Sequence, residues 1–215
     1  MYKKYFKNEK GITGLETAII LIAFVVVAAV FAYTALSAGL FSTQKAQEAV
    51  YSGLKEAQST LELRGGVIAT AGTTGAAGNV KQLTIVVSNV LGGEPVDFTV
   101  PNPDSSNSGI AAPGSPNKVV INYIDAHQVV TNLYWTKIAL GTTDLDDLLE
   151  TGEKFQIIIG SDDEDQDGGN LLDALTVENL SVNDTFTLEI VTPIGAVIII
   201  ERTTPPYIDT KMNLR

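Results

Sequence analysis

The sequence predicts an α+β protein: one long N-terminal α-helix followed by an antiparallel β-sandwich. Two observations carry this. From Gly14 to about Arg64 no residue breaks a helix strongly. Beyond residue 80 the chain turns to short β-branched and aromatic runs separated by Gly, Pro, Asn and Asp clusters, the mark of many short strands closing on one core.

The first element is a leader, residues 1–11. Lys3, Lys4, Lys7 and Lys10 stand against Glu9, a net charge of +3 that holds this end on the cytoplasmic side of a membrane. A secretory signal places its small-residue cleavage site after the apolar run. Here the expected cut lies before it, between Gly11 and Ile12, so the apolar helix stays with the mature chain. Cleavage frees an α-amino group on Ile12 and takes the net charge from −11 to −14. So acidic a protein does not seek nucleic acid or anionic lipid.

The helix, residues 12–64, comes next; Gly65-Gly66 supplies the expected stop. Fifty-odd residues make a rod of roughly 75 Å. Leu15 to Phe41 is nearly all apolar and long enough to span a bilayer. Ala28, Ala32, Ala35 and Gly39 share one face, where a neighbouring backbone can approach closely. Glu16 is the lone carboxylate in this half. Its charge is costly among apolar neighbours unless a cation meets it, and the Ile12 α-amino group of a neighbouring copy is a candidate. From Ser42 onward Ala46, Val50, Leu54, Ala57 and Leu61 recur at helical spacing between charged residues, so this half is amphipathic and should dock on a globular head.

Residues 65–80, rich in Ala, Thr and Gly, read as a linker or loop. The head, residues 81–215, holds expected strands at 83–90, 96–100, 119–124, 129–140, 155–159, 175–177, 186–191 and 196–200. The last two form a closing hairpin with Gly195 at the turn.

Composition excludes several functions. With no cysteine and a single histidine, His127, zinc chemistry and a Ser-His-Asp device lack most of their parts, and disulfides are excluded. No acid–base pair or phosphate-cradling loop is discernible, so the chain reads as no enzyme.

Gly11-Ile12-Thr13-Gly14-Leu15-Glu16-Thr17-Ala18, the following run through Ala28, Ala29 and Phe31, and the ending Gly195-Ala196 to Pro205-Pro206 resemble the archaellins, the archaeal flagellins that share leader and helix with type IV pilins. The resemblance implies removal of the leader by a dedicated membrane peptidase, a helical filament with the apolar helices at its core, and immunoglobulin-like heads outside. It implies an extracellular cell-surface filament reached through a transient membrane precursor, self-assembly with or without a second archaellin, and an external assembly and motor machinery. Glu16 matches the fifth mature position, where type IV pilins carry a glutamate.

In the head, Asp163, Asp165 and Asp167 alternate before Gly168 as in the first half of a calcium loop, though Ala174 stands where the bidentate glutamate belongs. No cofactor is required; Ca2+ or another divalent ion at this loop is the one candidate. Asn179-Leu-Ser181 and Asn183-Asp-Thr185 are sequons, and the resemblance places them outside the cell where N-glycosylation occurs. Trp135, Tyr134 and His127 read as core or subunit contacts; Asp144, Asp146, Asp147 and Glu150 read as a solvated turn.

The expected function is therefore structural: a subunit of the archaeal motility filament. Two alternatives stand beside it. An adhesive type IV-like pilin would share leader and helix but carry an exposed aromatic or metal-dependent patch on its head. A membrane-anchored solute-binding protein would keep its helix in the bilayer.

Overall fold

The computed structural model describes residues 12–58, 61–90, 93–144, 146–161, 168–195 and 197–214. The chain divides into two compact units, Met1–Ser52 and Gly53–Arg215. The fold class is as expected, a long N-terminal helix followed by antiparallel sheets.

Helix α1 (Ile12–Gln58) is unbroken over 47 residues, roughly 70 Å at 1.5 Å per residue. It holds no proline, so no rung of its hydrogen-bond ladder is lost. Its threonines turn their hydroxyls back on the helix: Thr34 Oγ1 donates to the Phe31 carbonyl at 2.9 Å and Thr43 Oγ1 to that of Leu40 at 2.9 Å. That satisfies each hydroxyl from the helix's own backbone.

The helix ends at Gln58 rather than at residue 64. The reason is tertiary. Leu61 and Leu63 belong to strand β1 (Leu61–Leu63), which pairs antiparallel with the end of β3 (Asn79–Asn89), Leu61 opposite Asn89 and Leu63 opposite Val87. Leu61 is buried in the head core, and that burial outweighs the tenths of a kcal/mol that separate helix propensities. Gly65, with φ +90°, turns the chain between β1 and the next strand instead of stopping the helix.

The expected linker at 65–80 is likewise a correction. Residues Val67–Thr73 form β2, paired with β3, and Val67 and Ala69 are fully buried. The small side chains that disguised it are a packing requirement. A Cβ on Gly78 would lie 2.5 Å from the Thr73 carbonyl oxygen and 2.8 Å from Ile208 Cβ, closer than real contacts allow.

Two sheets enclose the core. One has six strands in the order β12 (Lys211–Leu214), β2, β3, β9 (Lys154–Ile159), β7 (Trp135–Leu140), with β1 beside β3. The other has four, β11 (Ile198–Thr203), β10 (Thr185–Val191), β5 (Val120–Ile124), β6 (Val129–Val130). A separate pair joins β4 (Val96–Asp97) to β8 (Leu148–Leu149). Burial alternates along β5, β9 and β10, so Ile121, Tyr123, Phe155, Ile157, Phe186 and Leu188 point into a single cluster shared by both sheets, the period-2 pattern of strands with one wet face. At its centre Phe98 meets Trp135 and Phe155 edge-on, ring centroids 5.9 and 5.8 Å apart.

Other expectations shift locally. The run 129–140 splits into β6 and β7 because Asn132 takes φ +56°, a left-handed turn that Asn tolerates. Residues 175–177 form no strand; a one-turn helix, α2 (Leu171–Ala174), precedes them, opened by Asn170, whose side chain accepts from Leu172 N at 2.8 Å while Asp173 accepts from Asn170 N at 2.8 Å, a reciprocal cap. β10 and β11 do form the hairpin with Gly195 in the left-handed region (φ +115°). They are not last, however: β12 returns to edge β2, Leu214 opposite Val67.

The β5–β6 turn is held by Asp125, whose carboxylate accepts from the backbone N–H of His127 at 2.7 Å and of Gln128 at 2.8 Å. Partial burial raises the Asp125 pKa, but these N–H groups and the Gln128 amide outweigh it and hold the carboxyl below its ordinary value. A group lowered by folding stabilises above its unfolded pKa of about 3.9 and loses that contribution as pH falls through the lower folded value.

Two outcomes follow for the head. Gly78→Ala should lower its unfolding free energy by about 1–3 kcal/mol, read by denaturant melts with head-specific near-UV circular dichroism. The difference in melting temperature between the native chain and Asp125→Ala should hold steady from neutral pH to about pH 5 and narrow once pH drops below about 4.

Candidate functional site

The surface of the first half of α1 is apolar all round. From Ala18 to Tyr33 the residues are uninterruptedly hydrophobic, so they cover every side of a 3.6-residue turn rather than one stripe. In the single chain these side chains face outward: Phe24 and Tyr33 are 74% exposed and Leu21 66%. The helix is long and apolar enough to cross a membrane, and no part of that stretch is buried. The apolar stripe of the second half is exposed too, Val50 at 69% and Leu54 at 52%.

Within this surface the structure gathers the sequence-derived packing residues as expected of one helix. Ala28, Ala32, Ala35 and Gly39 fall within a narrow arc, and a Cβ added at Gly39 would meet nothing. Glu16 is exposed, about one turn from the start of the described helix. Ile12 opens α1, and Gly11, the other side of the expected cut, lies outside the described residues. After Glu16 the next charged residue of the helix is Lys45, which pairs with Glu48 at 2.6 Å on the surface.

On the head, Asn179 and Asn183 are exposed and line one cleft of about 290 Å³ with His127, Glu178, Asp125 and Asp184. Asn183 sits at a turn with φ +58°. The two sequon hydroxyls differ: Ser181 Oγ donates to Asp184 at 2.8 Å, half-buried, whereas Thr185 Oγ1 lies 2.8 Å from Thr203 Oγ1 at the surface. His127 Nε2 stands 3.4 Å from the Glu178 carboxylate.

Trp135 and Tyr134 are buried, as core residues would be, whereas His127 is exposed. Asp144, Asp146, Asp147 and Glu150 are exposed, and Lys137 reaches Asp147 at 2.7 Å and the Asp146 carbonyl at 3.0 Å. Asp163, Asp165 and Asp167 lie outside the described residues. Among the described residues no group of three or more His, Asp or Glu could hold a metal ion.

One surface escaped the sequence reading. The outer face of the six-stranded sheet is a groove of about 690 Å³, lined by Ile68 and Thr70 of β2, Thr84 and Val86 of β3, Gln156 and Ile158 of β9, and Lys211 of β12. Its floor needs β2 and β12, the strands that small residues and the chain end concealed.

The family model described as archaeal-type flagellin matches residues 11–202. The chain is 37% identical over 221 residues to probable flagellin 1 of Archaeoglobus fulgidus, spanning all of this chain and 99% of that one. Among solved structures it is similar to the archaeal flagellum of Methanospirillum hungatei, TM-score 0.63 and 30% identity over 93% of this chain and 98% of that chain. It also shares the fold of the flagellin FlaB1 from Methanocaldococcus jannaschii, TM-score 0.51 at 12% identity, over 72% of this chain and 95% of that one. The protein therefore belongs to the archaeal-type flagellin family, and it is a structural subunit that self-assembles into the archaeal motility filament at the cell surface, not an enzyme.

Proposed function

We propose that the chain is made as a membrane precursor, that a leader peptidase cuts between Gly11 and Ile12, and that the freed helix then packs among the helices of earlier subunits to form the filament core. The observation that carries this is the apolar circumference of the first half of α1, exposed in the single chain. A helix of this kind needs apolar surroundings on all sides, which lipid supplies before assembly and other copies supply after it.

The step from lipid to filament gains little from the hydrophobic effect, because lipid tails are as apolar as the helices they leave. Two features of this helix supply the difference. The face of Ala28, Ala32, Ala35 and Gly39 lets backbones approach. Glu16, buried in the core, meets the Ile12 α-amino group of a neighbour, a pairing that exists only after cleavage. The heads form the acidic outer surface, N-glycosylated at Asn179 or Asn183, on which a separate motor exerts torque. Assembly and motor proteins and a second archaellin are the remaining partners of this reading; none is a nucleic acid. Divalent-ion binding by Asp163, Asp165 and Asp167 belongs to it on the alternation of carboxylates alone.

Intact mass and N-terminal sequencing of the major protein in appendages sheared from cells should give a chain starting at Ile12; a start near Ala38, or a chain that stays with the membrane fraction, contradicts the reading. Glu16→Gln keeps the shape of the side chain but removes its charge. It should leave the leader cleaved and the membrane level of the protein unchanged while cutting filament yield severalfold.

A further inference from the structure

The two outer faces of the head carry opposite charge. The groove on the six-stranded sheet contains no carboxylate among its described lining residues, and its one charged group is Lys211, which forms no ion pair with any described residue. In a chain with 25 acidic and 14 basic residues that is an unusual surface. On the opposite side, the outward residues of the four-stranded sheet include Glu189 on β10 and Glu201 on β11 and no cation: Arg202, the one basic residue of its strands, stands opposite buried Phe186 with the parity of core-facing Ile200 and donates to the Glu201 carbonyl at 2.7 Å. Neither glutamate is ion-paired with a described residue.

That second face is also apolar where an outer face should be polar. Ile199, directly opposite Glu189 in the β10–β11 register, is 65% exposed, and Val197, just before β11, is 47% exposed. The groove offers matching surface: Ile68, Val86 and Ile158 rise from three neighbouring strands between threonines.

We propose that in the filament the four-stranded face of one head seats on the groove of the next, Ile199 against the groove floor and Glu189 and Glu201 toward Lys211. The occupant is a second copy of this chain, since the complementary face is its own, and this rests on the filament reading above. Neither face suits itself, because two grooves would oppose lysines and two outer faces would oppose glutamates. The contact is therefore head-to-tail, the kind that propagates along an open helix rather than closing as a two-fold dimer. The charges fix register and exclude the wrong pairing, while the apolar contact supplies the holding surface.

The native chain has no cysteine, so engineered thiols report without background. Filaments of the full chain carrying both Thr84→Cys and Ile199→Cys, treated with a short bismaleimide, should run on a denaturing gel as a ladder of dimer, trimer and higher species. Filaments with either cysteine alone should give monomer. Well-formed double-cysteine filaments without a ladder overturn the contact but leave the filament reading intact; dimers from Ile199→Cys alone overturn its head-to-tail sense. Absence of the native chain from sheared appendages defeats the filament reading itself. If the cysteine pair blocks assembly, charge exchange decides: Lys211→Glu and Glu201→Lys should each lower filament yield, and the two together should restore it. Failure of the pair to restore yield overturns the proposal.

Discussion

Everything else in this protein depends on a helix that no single chain can cover. Against water, each large side chain left exposed on α1 forgoes roughly 1.5–3 kcal/mol, and the exposed Leu, Ile, Val and Phe residues run from Leu15 to Phe41. Such a helix is poorly suited to a free monomer in water. In the proposed pathway it passes from one apolar environment, lipid, to another, the filament core, and the features that distinguish those environments govern when it moves. A carboxylate such as Glu16 costs several kcal/mol when buried without a partner, yet it is outweighed by the apolar surface around it. In the proposed assembly its role is accordingly one of timing and register, not of holding strength.

The head solves a different problem. Without cysteine it cannot be stapled, so its stability outside the cell comes from one core shared by two sheets. The ring cluster of Trp135, Phe98 and Phe155 fills the middle, and glycines such as Gly78 allow backbone to pass where a methyl group would collide. Each sheet leaves one face outside the core. These faces differ in charge and in apolar exposure, which gives the head a direction even though every subunit is identical.

Legibility in the sequence followed the physics of each segment. The helix was readable because its signal is composition sustained over many turns, with no proline or strong stop to interrupt it. Its end was not, because Leu61 fits both a helical stripe and a short strand, and only the distant partner Asn89 decides between them. β2 was missed for a related reason: Val67, Ala69 and Ala71 are small where the sheet is crowded, and smallness reads as a loop when the neighbours are unseen. β12 lies beyond the hairpin that looked like a natural close. Among the head residues, burial of Trp135 followed from its chemistry, and exposure of Asn179 and Asn183 from their place between strands. The outer groove was hidden because its lining comes from five strands far apart in the chain.

The central claim is that α1 finds its apolar surroundings in other copies of itself. Helical reconstruction of filaments sheared from cells, at a resolution that shows side chains, tests this most directly. The account predicts the helices from Ile12 onward gathered around the filament axis, with Ala28, Ala32 and Ala35 at the closest backbone approaches and no lipid between them. A reconstruction with the heads on the axis, or with α1 lying against lipid or solvent, would contradict it.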